Sequence, residues 1–186
     1  MASMPYHLAE PTRGMYMQVA RFEGCVIDIA RVAVQGDVEQ LVQHVAQSLT
    51  QEAGAALTQV WAHDDVSTRL RLRASSGMIA PPPGEQDEFH LQQAPPLFWV
   101  ETVVGTRQPL IQNDLVDDAR FDQKWVVGEK IAGVAAVPII YAGHLYGALI
   151  VLSQDEVAPE TADLTKAIAS ITAMAMYASQ LSLIHI

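Results

Sequence analysis

The chain has 186 residues, 50% of them hydrophobic, a formal net charge of -10 and one cysteine. That length and apolar content suffice for a single domain with a sizeable core. The acids are dispersed, which argues against nucleic acid or an anionic membrane as a main partner, and the lone Cys25 excludes an internal disulfide, a Cys-rich zinc site and a Cys-x-x-Cys redox pair.

Residues 1–14 carry Pro5 and Pro11 and are expected to form a flexible N-terminus. The N-terminus lacks the basic-then-apolar pattern of a secretory signal, so a cytoplasmic location is expected. Residues 15–36 are expected to form a signalling or dimerisation helix. Met15, Val19, Phe22, Val26, Ile29 and Ala33 alternate at spacings of four and three, a short heptad stripe. Such a stripe either dimerises or packs on its own domain. Cys25 lies beside it and reads as a small buried thiol. Asp37 is a candidate N-cap for a second helix whose apolar face is Val38, Leu41, Val42, Val45 and Leu49. Gly54 ends it.

Ala55 to His63 reads as a first strand and Asp64-Asp65 as a turn. Ser67 to Ser75 alternates Leu70 and Leu72 with Arg69, Arg71 and Arg73. The arginines mark either an anion site or the wet face of an antiparallel strand. Ser76 to Pro96, with Pro81-Pro82-Pro83-Gly84, is a long loop of the kind used as a lid or binding loop, or as spacer. Leu97 to Val104 is a short helix, Gln108 to Asn113 a short strand, and Phe121 to Lys130 another short helix.

Ile131 to Leu152 reads IAGVAAVPIIYAGHLYGALIVL and holds no acid, Lys or Arg. It is long enough to cross a bilayer. Pro138 and the turn-forming Ala142-Gly143 argue instead for two buried strands, about Val134 to Tyr141 and Leu145 to Leu152. A hairpin apolar on both faces needs cover on both. Pro159, Glu160 and Asp163 open a last helix, along which Leu164, Ile168, Ile171, Ala175 and Ala178 repeat the four-three spacing. Leu181 to Ile186 has no cap and is expected to be a truncated or non-native tail.

The order of elements, with QPLIQNDLVDDARFD and KWVVGEKIAGVAAVPIIYAGHLYGALIVLS, resembles GAF domains found before histidine kinase or transcription-activator output domains in bacterial signalling proteins. Pro109-Leu110, Asn113-Asp114, Arg120-Phe121, Val137-Pro138, Gly143 and Gly147 carry the resemblance, which extends over residues 37–180. It implies an α+β fold. A central antiparallel sheet has the N- and C-terminal helices on one face, often in a homodimer. Short helices and the long loop cover the other face over a pocket.

The candidate ligand-binding residues are Trp61, Phe89, Phe98, Trp99, Phe121, Trp125 and Tyr141, rings suited to stacking on a planar molecule or to filling a core. Arg120 and Lys124 could face an anion. Cyclic-nucleotide relatives share an Asn-Lys, Phe, Asp-Glu pattern that is missing here, since Asn113 precedes Asp114. Bilin attachment would need Cys25, and heme would need His63, His90 or His144; neither cofactor is expected, and none is required. The GAF-fold methionine sulfoxide reductases use several cysteines, so no enzyme is expected, and no catalytic constellation is seen. The function expected is a sensor that regulates an output domain outside this chain, or a ligand-free dimerisation module.

Overall fold

The computed structural model describes residues 13–79, 88–90, 98–116 and 118–184. The flexible N-terminus expected at 1–14 and the lid expected at 76–96 fall largely outside the described residues, as do the last two residues of the expected tail. Helices α1 (Arg13–Ala33) and α2 (Val38–Glu52) come first. Strands β1 (Leu57–Asp64), β2 (Arg69–Gly77) and β3 (Glu88–His90) follow, then α3 (Phe98–Thr106), β4 (Leu110–Asn113) and α4 (Gln123–Gly128). The hairpin β5 (Gly133–Tyr141) and β6 (His144–Ser153) leads into α5 (Pro159–Ile184). Helix α5 therefore runs through most of the segment expected to be a tail.

The strands form one sheet in the order β3-β2-β1-β6-β5-β4, with every neighbouring pair antiparallel. Ala142 and Gly143 form the two-residue hairpin turn with φ of 50° and 79°, the left-handed geometry that matches strand twist. Pro138 is tolerated because β4 stops pairing at Ala136, so no β4 residue lies opposite the proline. Asp37 caps α2, its side chain accepting from Gln40 N at 3.0 Å.

Both sheet faces are covered, as the hairpin composition demands. On one face α1, α2 and α5 bury Val60, Val137, Leu149 and Val151 under Ile29, Leu41, Val45, Leu49 and Ile168. On the other, α3, α4 and the segment around Leu115 bury Leu57, Trp61, Val134, Ala148, Ile150 and Leu152. Alternate residues of β6 thus serve opposite cores. Asn113 ties the layers together: its Oδ1 accepts from Val157 N at 2.8 Å, just before α5 begins.

The heptad stripe of α1 packs on its own domain from Phe22 to Ala33, while Val19 is left 47% exposed. Ile29 is fully buried, and Phe22, Val26 and Ala33 pack against the same core. Leu164 and Ile168 of α5 are buried likewise. A four-three spacing records a partner helix, and here the partners are α2, the sheet and the neighbouring terminal helix.

β3 lies inside the stretch expected to be loop. Its three residues pair with β2, and Glu88 binds both Arg69 and Arg71. Arg73 pairs with Glu39 of α2. The arginine row is therefore a solvated strand face whose three cations share two carboxylates.

Candidate functional site

The aromatic residues converge from three elements on the sheet face opposite α1 and α5. Alternation along β1 places Leu57, Gln59 and Trp61 on that face, since Thr58 and Val60 serve the helical side. Trp61 and Gln59 are both fully buried, and the Trp61 indole donates to Gln59 Oε1 at 3.3 Å. Helix α3 contributes Phe98 and Trp99. Trp125 stands in the first turn of α4, where the Asp122 cap accepts from its backbone N–H at 3.0 Å.

Trp99 packs against two rings. Its centroid is 5.5 Å from Phe121 with planes 18° apart, and 6.1 Å from Trp125 with planes 30° apart. Phe98 meets Phe121 edge-on at 5.8 Å. These are the offset and edge geometries that the ring quadrupole favours. Trp99, Phe121 and Trp125 are buried, and Phe98 is half-buried against them. Trp99 Nε1 is enclosed and makes no hydrogen bond among the described residues.

A polar rim borders the rings. The Arg120 guanidinium lies 4.6 Å above the Phe98 ring. Its Nε donates to both carboxylate oxygens of Asp118, at 2.9 and 3.1 Å, and its Nη2 donates to Gln112 Oε1 at 2.9 Å. Hydrogen bonds from Arg120, joined by one from Gln112, hold the Asp118 carboxyl well below the usual carboxylate range. A depressed carboxylate contributes stability above its unfolded pKa, near 3.9, and loses it as pH falls through the folded value. The urea midpoint of the domain should therefore drop between about pH 5 and 2.5, and Asp118→Asn should make that drop shallower. An equal slope in both proteins would show that the pair is unimportant.

Not every expected site residue joins this cluster. Tyr141 packs against Tyr177 of α5, with centroids 5.0 Å apart, on the helical side. The pleat alternates, so Ile140 takes the aromatic side and Tyr141 the other. The backbone of Phe89 pairs with Leu70, while its side chain lies outside the described residues. Lys124 is exposed. Gln59 was not among the expected residues, although its place two residues from both Leu57 and Trp61 puts it on their face.

The histidines sit elsewhere. His63 Nδ1 and His144 Nε2 each lie 2.9 Å from an oxygen of Asp65, the His63 contact being off the line of a hydrogen bond. The side chain of His90 lies outside the described residues. Among the described residues no group of three or more His, Cys, Asp or Glu could hold a metal ion. Cys25 belongs to the helical core, across the sheet from the rings, and burial pushes its thiol up to about 11. No helix among the described residues is long and apolar enough to cross a membrane.

The GAF domain family model matches residues 37–176. The chain belongs to the GAF domain family. Three solved structures show how widely this GAF fold is shared. The GAF domain of a phosphoenolpyruvate-protein phosphotransferase from Coxiella burnetii is 19% identical, with a TM-score of 0.65 over 84% of this chain and 95% of that one. The free methionine-R-sulfoxide reductase of Neisseria meningitidis, solved with its substrate, is 16% identical, with a TM-score of 0.68 over 96% and 98%. The phycocyanobilin-bound GAF domain of a cyanobacterial phytochrome is 16% identical, with a TM-score of 0.65 over 87% and 96%. At these identities the likeness is one of fold. None of the curated proteins compared matches the chain.

Proposed function

We propose that this GAF domain is a non-catalytic, cytoplasmic sensor. A small molecule held among the aromatic rings biases the arrangement of α1 and α5, and an output domain beyond this chain reads the change in a homodimer. The single observation that carries this reading is the division of labour across the sheet. Rings with an unsatisfied indole donor lie on one face, and the terminal helices lie on the other. β1, β6 and β5 are common to both. A ligand acts only if it binds two arrangements with different affinity.

The dimer is supported by what α1 and α5 leave exposed. Two apolar grooves, of about 440 and 570 Å³, run between them. Ile27 and Ala167 share the first groove, and Val34, Met174 and Ala178 share the second, so the helices run side by side in the same direction. Ala167, Ile171, Met174, Ala178 and Leu181 keep a four-three spacing on the outward side of α5. Ile27 is 58% exposed and Val34 85%. A second copy presenting the same stripe would cover this face about a two-fold axis.

A resident cofactor is not part of the proposal. Cys25 lies across the sheet from the rings, which disfavours a tethered bilin and a cysteine-based reductase alike. The test of the dimer is Ile27→Glu. This residue sits on the outward face, so circular dichroism should be unchanged. Sedimentation should show self-association weakened at least about 100-fold, since the two-fold brings the new charges together. A wild-type protein that sediments as a monomer at all concentrations would overturn it.

A further inference from the structure

Two copies can meet along the α1–α5 seam in parallel or antiparallel, and the charges on the seam favour one of the two. The groove lined by Val19, Phe22, Val26 and Leu164 also carries Glu23, Glu160 and Asp163. The groove at the other end, lined by Ala30, Ala33, Val34, Met174, Ala178 and Ser182, has no ionisable residue in its lining. A parallel two-fold sets these three carboxylates against the same three of the second copy, a like-charge contact. An antiparallel two-fold lays each acidic groove on the neutral groove of the other copy.

Helix α1 carries the register. Glu23, Ile27 and Arg31 are exposed and follow one another in steps of four residues, about 6 Å along the helix and about 40° around it. Ile27 therefore stands midway between an acid and a base. Rotation about an axis that passes through Ile27 and across the helix brings Glu23 of each copy to Arg31 of the other. A parallel pairing faces Glu23 with Glu23 and Arg31 with Arg31. Arg31 Nη1 donates to Asp28 of its own helix at 2.8 Å, an exposed pair that leaves further guanidinium N–H groups to reach across the seam.

We infer that the homodimer is antiparallel, with Ile27 on the two-fold axis and Glu23 of each copy paired with Arg31 of the other. The inference rests on the dimer reading and adds its orientation. The two α5 helices then end at opposite ends of the seam.

A charge-swap cycle on the full chain tests this. Both residues are exposed, so Glu23→Arg, Arg31→Glu and the double variant should keep the wild-type circular dichroism. Either single change turns both cross-pairs into like-charge contacts, and sedimentation should show self-association weakened about 10-fold or more. The double variant has opposite charges at both contacts again and should return to within about threefold of wild type. In a parallel dimer all four proteins face like with like. Equal dissociation constants, or a double variant as weak as the singles, would therefore overturn the orientation and leave the dimer standing. A wild-type chain that stays monomeric would overturn both.

Discussion

Ile29→Glu should leave the domain marginal or unfolded, although Ile27→Glu two residues away should leave the fold intact. Ile29 is 0% exposed and sits between α1 and the helical core, whereas Ile27 is 58% exposed. An unpaired carboxylate at position 29 would lose its hydration with no cation in the surrounding apolar cluster to compensate. Burying such a charge, or driving its protonation, costs about 3–5 kcal/mol or more. The loss of isoleucine packing adds to that. Whole-domain stabilities are about 5–15 kcal/mol, so the variant is left marginal or unfolded. Far-ultraviolet circular dichroism with urea titration reads the outcome. A cooperative Ile29→Glu transition with a wild-type midpoint would contradict the placement of α1.

Gly147→Ala should be nearly as damaging, by more than about 4 kcal/mol. The residue has φ of 155°, and a Cβ there would stand 1.8 Å from the Trp61 carbonyl oxygen, a distance that no relaxation of side chains relieves. β1 and β6 pair through Ala62 and Gly147 at this point. The clash therefore separates the two central strands and displaces Trp61 from the aromatic face. Gly143→Ala is the control. That glycine also has positive φ, but nothing lies within 4 Å of its Cβ position, so only the left-handed penalty of about 1–2 kcal/mol applies. Two such variants differing by less than about 1 kcal/mol would mean that the strands can part without cost.

The hairpin was legible because its signals are local. A turn pair that accepts positive φ, a proline beyond the reach of β4 and an apolar run on each side all act within neighbouring residues. The terminal seam was legible as a pattern but not as a face. Val26 and Ile29 keep the heptad spacing because they meet helices and sheet of their own domain, and spacing alone cannot distinguish that from a second copy. The outward stripe through Ile27 and Val34 became visible only once the inward one was placed.

At the site, Trp61, Phe98, Trp99, Phe121 and Trp125 were recognisable by residue type, and the fold brings them together. Tyr141 has the same chemistry and the wrong parity, one residue beyond Ile140. Gln59 was hidden by its polarity, which in a strand ordinarily marks a wet face. The Asp118–Arg120–Gln112 rim depends on side chains of a loop meeting a short edge strand, which no sequence period encodes. β3 was missed for a similar reason: three residues carry no alternation worth reading, and Glu88 finds Arg69 and Arg71 only through tertiary pairing.

Native mass spectrometry of the purified chain tests the sensor reading most directly, because subunit number and retained small molecules are read in one spectrum. The account predicts a dimer that carries the added mass of a retained small molecule. A monomer at bare chain mass would contradict it.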